Sequence, residues 1–185
     1  LKTKELVEIA LFAAILGVLG FLPPIPLPFT PVPITLQNVG VLMAGMFLGI
    51  RAATSSMVLF VLLVIAGAPI LGGGHGGVGA IFGSVSGGFV LGWIAEAFVI
   101  SLILSFSKKP PVWLLIVAGL AGGIVVLYPI ATLWQAALMH VSWWSALAMD
   151  AVFIPGDVIK TVFVALLAVQ LRERVGGPGR ASSQI

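Results

Sequence analysis

Cysteine is absent from the 185-residue chain, which rules out disulfides, thiolate metal sites and a cysteine nucleophile. Charge is nearly as scarce: Lys, Arg, Asp and Glu make up 8% of the residues, against 60% hydrophobic. A soluble globule of this length would need far more polar residues to cover its core, so the composition points to an all-α polytopic membrane protein. The two histidines, His75 and His140, are far apart and have no ligand-spaced partners, which argues against a zinc site. The net charge of +3 comes from basic residues at the ends of apolar runs, where membrane topology places them, and does not indicate nucleic acid.

Six apolar runs are expected to span the membrane, over residues 6–22, 36–50, 52–68, 88–106, 112–139 and 155–171. Lys2 and Lys4 before the first run faintly resemble a signal peptide. Glu5 and Glu8 break that pattern and no small-residue cleavage site follows, so the run is read as a span. The fifth run is too long for one straight helix, and Gly119, Gly122, Gly123 and Pro129 predict a break in it. Trp143 and Trp144 read as an interface belt, and Ser142 as the cap of a short surface helix leading to Asp150. With six spans, Lys2, Lys4, Arg51, Lys108, Lys109, Arg172, Arg174 and Arg180 fall on one side, so both termini are expected in the cytoplasm.

Two loops are unusual. Six prolines between residues 23 and 33 exclude a helix or central strand and predict a stiff, extended loop. The loop is uncharged and carries Ile25, Leu27, Phe29 and Val32, so it is expected to fold over the bundle as a lid. The second loop, Gly72-Gly73-Gly74-His75-Gly76-Gly77-Val78-Gly79, formally matches a dinucleotide fingerprint. It has neither a βαβ unit around it nor an acidic residue at ribose distance. It is read either as a loop whose bare backbone approaches a ligand or as a flexible linker.

Both loops converge on the start of the last run. Pro155 suits the first turn of a helix, Asp157 falls where the helix dipole favours a carboxylate, and Lys160 lies one turn on, on the same face. An intramembrane charge pair is either a site facing a cavity or a structural lock between helices. Glu96, deep in the fourth run, is either protonated, paired or in a polar cavity, with Lys160 as the candidate partner, and Trp93 shares its face. A pocket with Phe89, Trp93, Tyr128 and Trp134 for apolar contact, and Asp157, Lys160, Gln37 and Asn38 for hydrogen bonds, suits a small amphiphilic molecule. Small residues at Ala10-x-x-x-Ala14 and Gly45-x-x-x-Gly49 make close-packing stripes, for this bundle or for a partner helix. Ser84-Val85-Ser86-Gly87 is a near miss to the Gly-x-Ser-Gly of intramembrane serine proteases, with the first Gly missing.

In combination, four stretches carry a family resemblance. They are Val32-Pro33-Ile34-Thr35-Leu36-Gln37, the glycine-rich run over 72–83, Gly87-Gly88-Phe89-Val90-Leu91-Gly92 and Pro155-Gly156-Asp157-Val158-Ile159-Lys160. In their order and spacing, over almost the whole chain, the sequence resembles the BioY family, the biotin-binding S components of energy-coupling factor (ECF) transporters. The resemblance implies an ECF S-component fold in the bacterial plasma membrane, with six helices, both termini inside and biotin captured from outside. It assigns Asp157 and Lys160 to the ligand; Thr35 and Gly76, within the resembling stretches, and the intramembrane Glu96 complete the candidate site. It assigns Ala10 and Ala14 to docking of the transmembrane coupling subunit, leaves ATP binding to separate ATPase subunits, and implies no catalysis and no cofactor. Where the family usually has Gly-Pro-Thr-Gly-Gly-Tyr, this chain has Gly83-Ser84-Val85-Ser86-Gly87-Gly88-Phe89, so hydroxyls are missing at positions 85 and 89. An S component for another vitamin, or an intramembrane hydrolase acting through Ser86, are the alternatives.

Overall fold

The computed structural model describes residues 3–28 and 30–175, with side chains as far as Leu171. Lys2, Phe29 and Arg180 lie outside the described residues, as do the side chains of Arg172, Glu173 and Arg174. In order, the elements are α1 (Thr3–Gly20), β1 (Ile25–Leu27), β2 (Thr30–Ile34), α2 (Gln37–Phe47), α3 (Ile50–Ile65), α4 (Val78–Phe82) and α5 (Gly87–Ser105). They continue with α6 (Val112–Leu120), a π-helical turn (Ala121–Val126), α7 (Leu127–Met139), α8 (Trp143–Asp150), a 3-10 turn (Ala151–Phe153) and α9 (Ile154–Val175).

Among the described residues, three helical runs are long and apolar enough to cross a bilayer: Gly87–Ser105, Val112–Met139 and Trp143–Leu171. α3 is apolar but has 16 residues, and α2 has 11, a rise of about 16 Å against a hydrocarbon core of about 30 Å. The run expected over 36–50 is therefore a short inner helix flanked by the proline stretch and by Gly49. Ser142 caps α8 as expected, its Oγ accepting from Ser145 N at 3.1 Å.

The proline-rich stretch departs from the expected strandless loop, and the chain is mostly, not wholly, helical. β1 and β2 form an antiparallel hairpin with Ile25 opposite Ile34 and Leu27 opposite Thr30. Proline is excluded from central strands because it cannot donate to the ladder, but in a two-stranded hairpin both strands are edges, where proline is tolerated.

α5 is the hub and packs against α2, α3, α4, α6, the π turn and α7. Its glycines make this closeness possible: a Cβ on Gly88 would lie 2.5 Å from Trp134 Cβ and 3.0 Å from Ala131 Cα on α7. Across the same interface a Cβ on Gly122 would meet Ile100 Cγ1 at 2.5 Å and the Glu96 carbonyl oxygen at 2.9 Å. The break predicted in the fifth run takes the form of the π turn, which holds Gly122 and Gly123 against α5 and directly precedes Pro129 in α7. A widened turn accommodates the N–H that proline lacks, so the helical run continues from Val112 to Met139. Of the two small-residue stripes, Gly45 packs against α5, where a Cβ on it would lie 2.8 Å from Ile100 Cβ, whereas Ala10 and Ala14 face outward from α1 beside the buried Ala13 and Gly17.

Gly88→Val is expected to destabilise the folded chain by about 1–3 kcal/mol through overpacking at α7. A thermal melt in detergent checks this against Gly49→Ala, where an added Cβ meets nothing within 4 Å.

Candidate functional site

At one end of the bundle the hairpin, the glycine-rich loop and the start of α5 enclose a cavity of about 490 Å³. This is within the size range of small-molecule sites, about 300–1,000 Å³. Pro24, Pro31 and Pro33 form its hairpin wall, and Leu71, Gly72 and His75 its glycine-loop wall. Phe89, Val90 and Trp93 of α5 line its depth, and Ser84 and Ser86 bring hydroxyls to its rim. Pro33, Thr35, Phe89 and Trp93 also line a smaller hollow of about 60 Å³, which ends on Asn38, Phe153, Asp157 and Lys160. An apolar chamber thus shares one wall with a hollow that carries a charge pair.

Asp157 and Lys160 are partly buried and joined by a 3.0 Å bond from Lys160 Nζ to Asp157 Oδ1. Their i, i+3 spacing on α9 makes them neighbours on one helix face. The other carboxylate oxygen, Oδ2, accepts from the Tyr128 hydroxyl at 2.7 Å. One carboxylate is therefore held by an ammonium of its own helix and a phenol of α7, while the pair still faces the hollow. Asp157 presents acceptor lone pairs beside the N–H donors of Lys160, a match for a ligand with an N–H next to a carbonyl.

Glu96 is fully buried, and its Oε2 accepts from Asn38 Nδ2 at 3.4 Å, while no partner for Oε1 is found among the described residues. Of the readings open for Glu96, a bond to the candidate partner Lys160 is not formed: Lys160 bonds Asp157, which is one turn away on the same helix, whereas Glu96 is on another. Glu96 lies behind the lining, with Gly123 against its carboxylate, and Asn38 reaches the hollow in its place.

Several other predicted residues take different positions from those expected. Gln37 lines the larger cavity, yet its amide clamps the backbone: Nε2 donates to the carbonyls of Leu16 at 2.9 Å and Ile70 at 3.0 Å, and Oε1 accepts from Gly72 N at 2.9 Å. Trp134 stands outside both linings and donates from Nε1 to the Ser84 carbonyl at 3.0 Å, which fixes the rim of the cavity. Tyr128 is also outside the linings, buried with Phe89 packed edge-on at a centroid distance of 6.1 Å. Gly76 lies outside the linings too, and a Cβ there would collide with the Ala68 carbonyl. Ser86 Oγ is paired with Ser84 Oγ at 2.8 Å.

The sequence reading noted Ser84 and Ser86 only as a protease near miss, not as rim residues, and it missed Phe153 and the bond from Thr30 Oγ1 to Asp150 Oδ1 at 2.9 Å, which ties the hairpin to α8. A contact between residues 120 positions apart has no local signature, although a lone acid closing an apolar surface helix was a usable signal.

The fold is that of an S component, in a multi-pass membrane protein. Its match to a solved S component of a bacterial ECF transporter, with TM-score 0.55 and 18% identity over 94% of this chain and 95% of that one, concerns the fold alone. The chain belongs to the BioY family, whose family model matches residues 1–177. It is 40% identical to a probable biotin transporter BioY of Bacillus subtilis over 173 residues, covering 94% of this chain and 92% of the relative. It is 44% identical to the biotin transporter BioY of Rhizobium etli over 173 residues, covering 90% and 92%. A solved structure of the S-component for biotin from an ECF-type ABC transporter superposes with TM-score 0.85 at 33% identity, covering 92% of this chain and 91% of that one.

Gln37→Leu is expected to release the glycine-rich loop by removing three bonds at once, two of them donated and one accepted. Hydrogen exchange should then lose about 1–3 kcal/mol of protection around Gly72, with little change in α6.

Proposed function

We propose that this chain captures biotin at the outer face of the bacterial plasma membrane and acts as the substrate-specific subunit of an ECF transporter. The observation that carries the reading is the donor–acceptor edge made by Lys160 and Asp157 in a hollow that shares its Phe89 and Trp93 wall with an apolar chamber. Biotin has a ureido ring with N–H donors beside a carbonyl, an apolar thioether ring and a tail ending in a carboxylate. Asp157 accepts from the ureido N–H groups, and Lys160 donates to an oxygen of the ligand. Thr35 and Asn38 add polar contacts at the hollow, and Phe89 and Trp93 cover the rings. Gln37, Gly76, Glu96 and Trp134 serve the site by holding its walls.

The membrane orientation follows from charge. Lys4, Arg51 and Ser105 border one surface concavity, so the starts of α1 and α3 and the end of α5 share one end of the bundle. The cavity lies by the opposite ends of these helices. Positive charge marks the cytoplasmic side, which supports a cytoplasmic N-terminus and an outward-facing cavity. Six membrane passages, with the short α2 completing its passage beside neighbouring helices, bring the C-terminus back to the cytoplasm. The outward Ala10–Ala14 face of α1 fits docking of the coupling subunit, while separate ATP-binding-cassette subunits supply the energy.

Calorimetric titration of the purified, ligand-stripped chain with biotin tests the reading: tight one-to-one binding is expected, and no heat from a folded sample would refute it. Lys160→Ala should weaken binding at least about a hundredfold, since it also leaves Asp157 without its cation. Biotin affinity equal to that of the unaltered chain would remove Lys160 from the site. Ala14→Trp should keep biotin affinity and lose co-purification with the coupling subunit, and an intact complex would return Ala14 to a packing role.

A further inference from the structure

The hydroxyl of Tyr128 donates to Asp157 Oδ2 at 2.7 Å, the shortest bond made to this carboxylate. Tyr128 is 1% exposed and lines neither the cavity nor the hollow, so a ligand there does not meet it. Its ring is fixed edge-on against Phe89, which lines both spaces. Its helix is fixed in turn by the close approach of α5 at Gly88. We infer that Tyr128 is a positioning residue for biotin binding, acting through Asp157 and not by contact with the ligand. This rests on the biotin reading above.

Without the phenol, Lys160 alone would orient the carboxylate, and a lysine on a flexible stem holds direction poorly. With it, one oxygen faces α7 and the other Lys160, so the lone pairs left for the ligand point in fixed directions into the hollow. The bond is also charge-assisted, the stronger kind, and its donor cannot turn to water because it is buried. Phe89 completes the arrangement, so a ligand ring resting on Phe89 presses on the same support that orients Asp157.

Tyr128 is the single tyrosine of the chain, which permits a direct test. Tyr128→Phe should bind biotin about ten- to a hundredfold more weakly, the range expected for loss of a hydrogen bond to a charged group. In the unaltered chain labelled with ζ-13C tyrosine, the one tyrosine resonance should move when Asp157→Asn is introduced. A resonance unmoved by Asp157→Asn, or a folded Tyr128→Phe variant with affinity within about twofold of the unaltered chain, would overturn the inference. If Tyr128→Phe does not fold, the resonance alone decides. Failure of the unaltered chain to bind biotin would refute the functional reading, and the resonance would still report whether Tyr128 holds Asp157.

Discussion

A carboxylate inside an apolar bundle has to be compensated, and this structure is arranged around compensating Asp157. An uncompensated charge at that depth costs roughly 2.5–3.5 kcal/mol on insertion scales, a large share of the stability of a small protein. Lys160 supplies the opposite charge from the next turn of α9, and Tyr128 supplies a phenol from α7. The second partner is available only because α7 sits close to α5, which requires the bare backbone of Gly88 and the π turn ahead of Pro129. Small residues far from any ligand thus determine whether the charged edge has its geometry.

The loops that wall the cavity are held by a second set of polar groups. Gln37 ties the glycine-rich loop to the end of α1, Trp134 ties the Ser84 rim to α7, and Thr30 ties the hairpin to Asp150. Each bond links a segment of irregular backbone to a helix, which satisfies groups that lipid cannot satisfy. Much of the polar inventory near the cavity is therefore spent on fixing walls. That leaves the chamber largely apolar, with the charge of Asp157 and Lys160 confined to the adjoining hollow, as suits a ligand that has one polar head on an apolar body.

The two ends of the bundle have opposite character. Around Lys4, Glu5, Glu8 and Arg51 the surface is charged and shallow; at the other end the loops are uncharged and enclose space. The function proposed above uses this division, with ligand capture at one face and docking of a coupling subunit along a helix that leaves the capture site alone. The outward placement of Ala10 and Ala14 on α1, away from the cavity lining, is compatible with it.

The sequence by itself determined the membrane class, the helical character of most of the chain and the stretch that carries the charge pair. These follow from local signals: apolar runs, a proline at a helix start, and an acid and a base one turn apart on one face. It also located the irregular turn ahead of Pro129 and the cap at Ser142, whose causes lie within a few residues. Only the tertiary structure decided which polar groups meet. Lys160 bonds Asp157 and not Glu96; Gln37, at the cavity wall, and Trp134, outside it, hold the loops through their polar atoms; and Tyr128 lies behind the lining. Even the proline stretch became a hairpin once both strands could be edges. Each of these outcomes depends on distances between helices, which are set by packing across the bundle and leave no local mark in the chain.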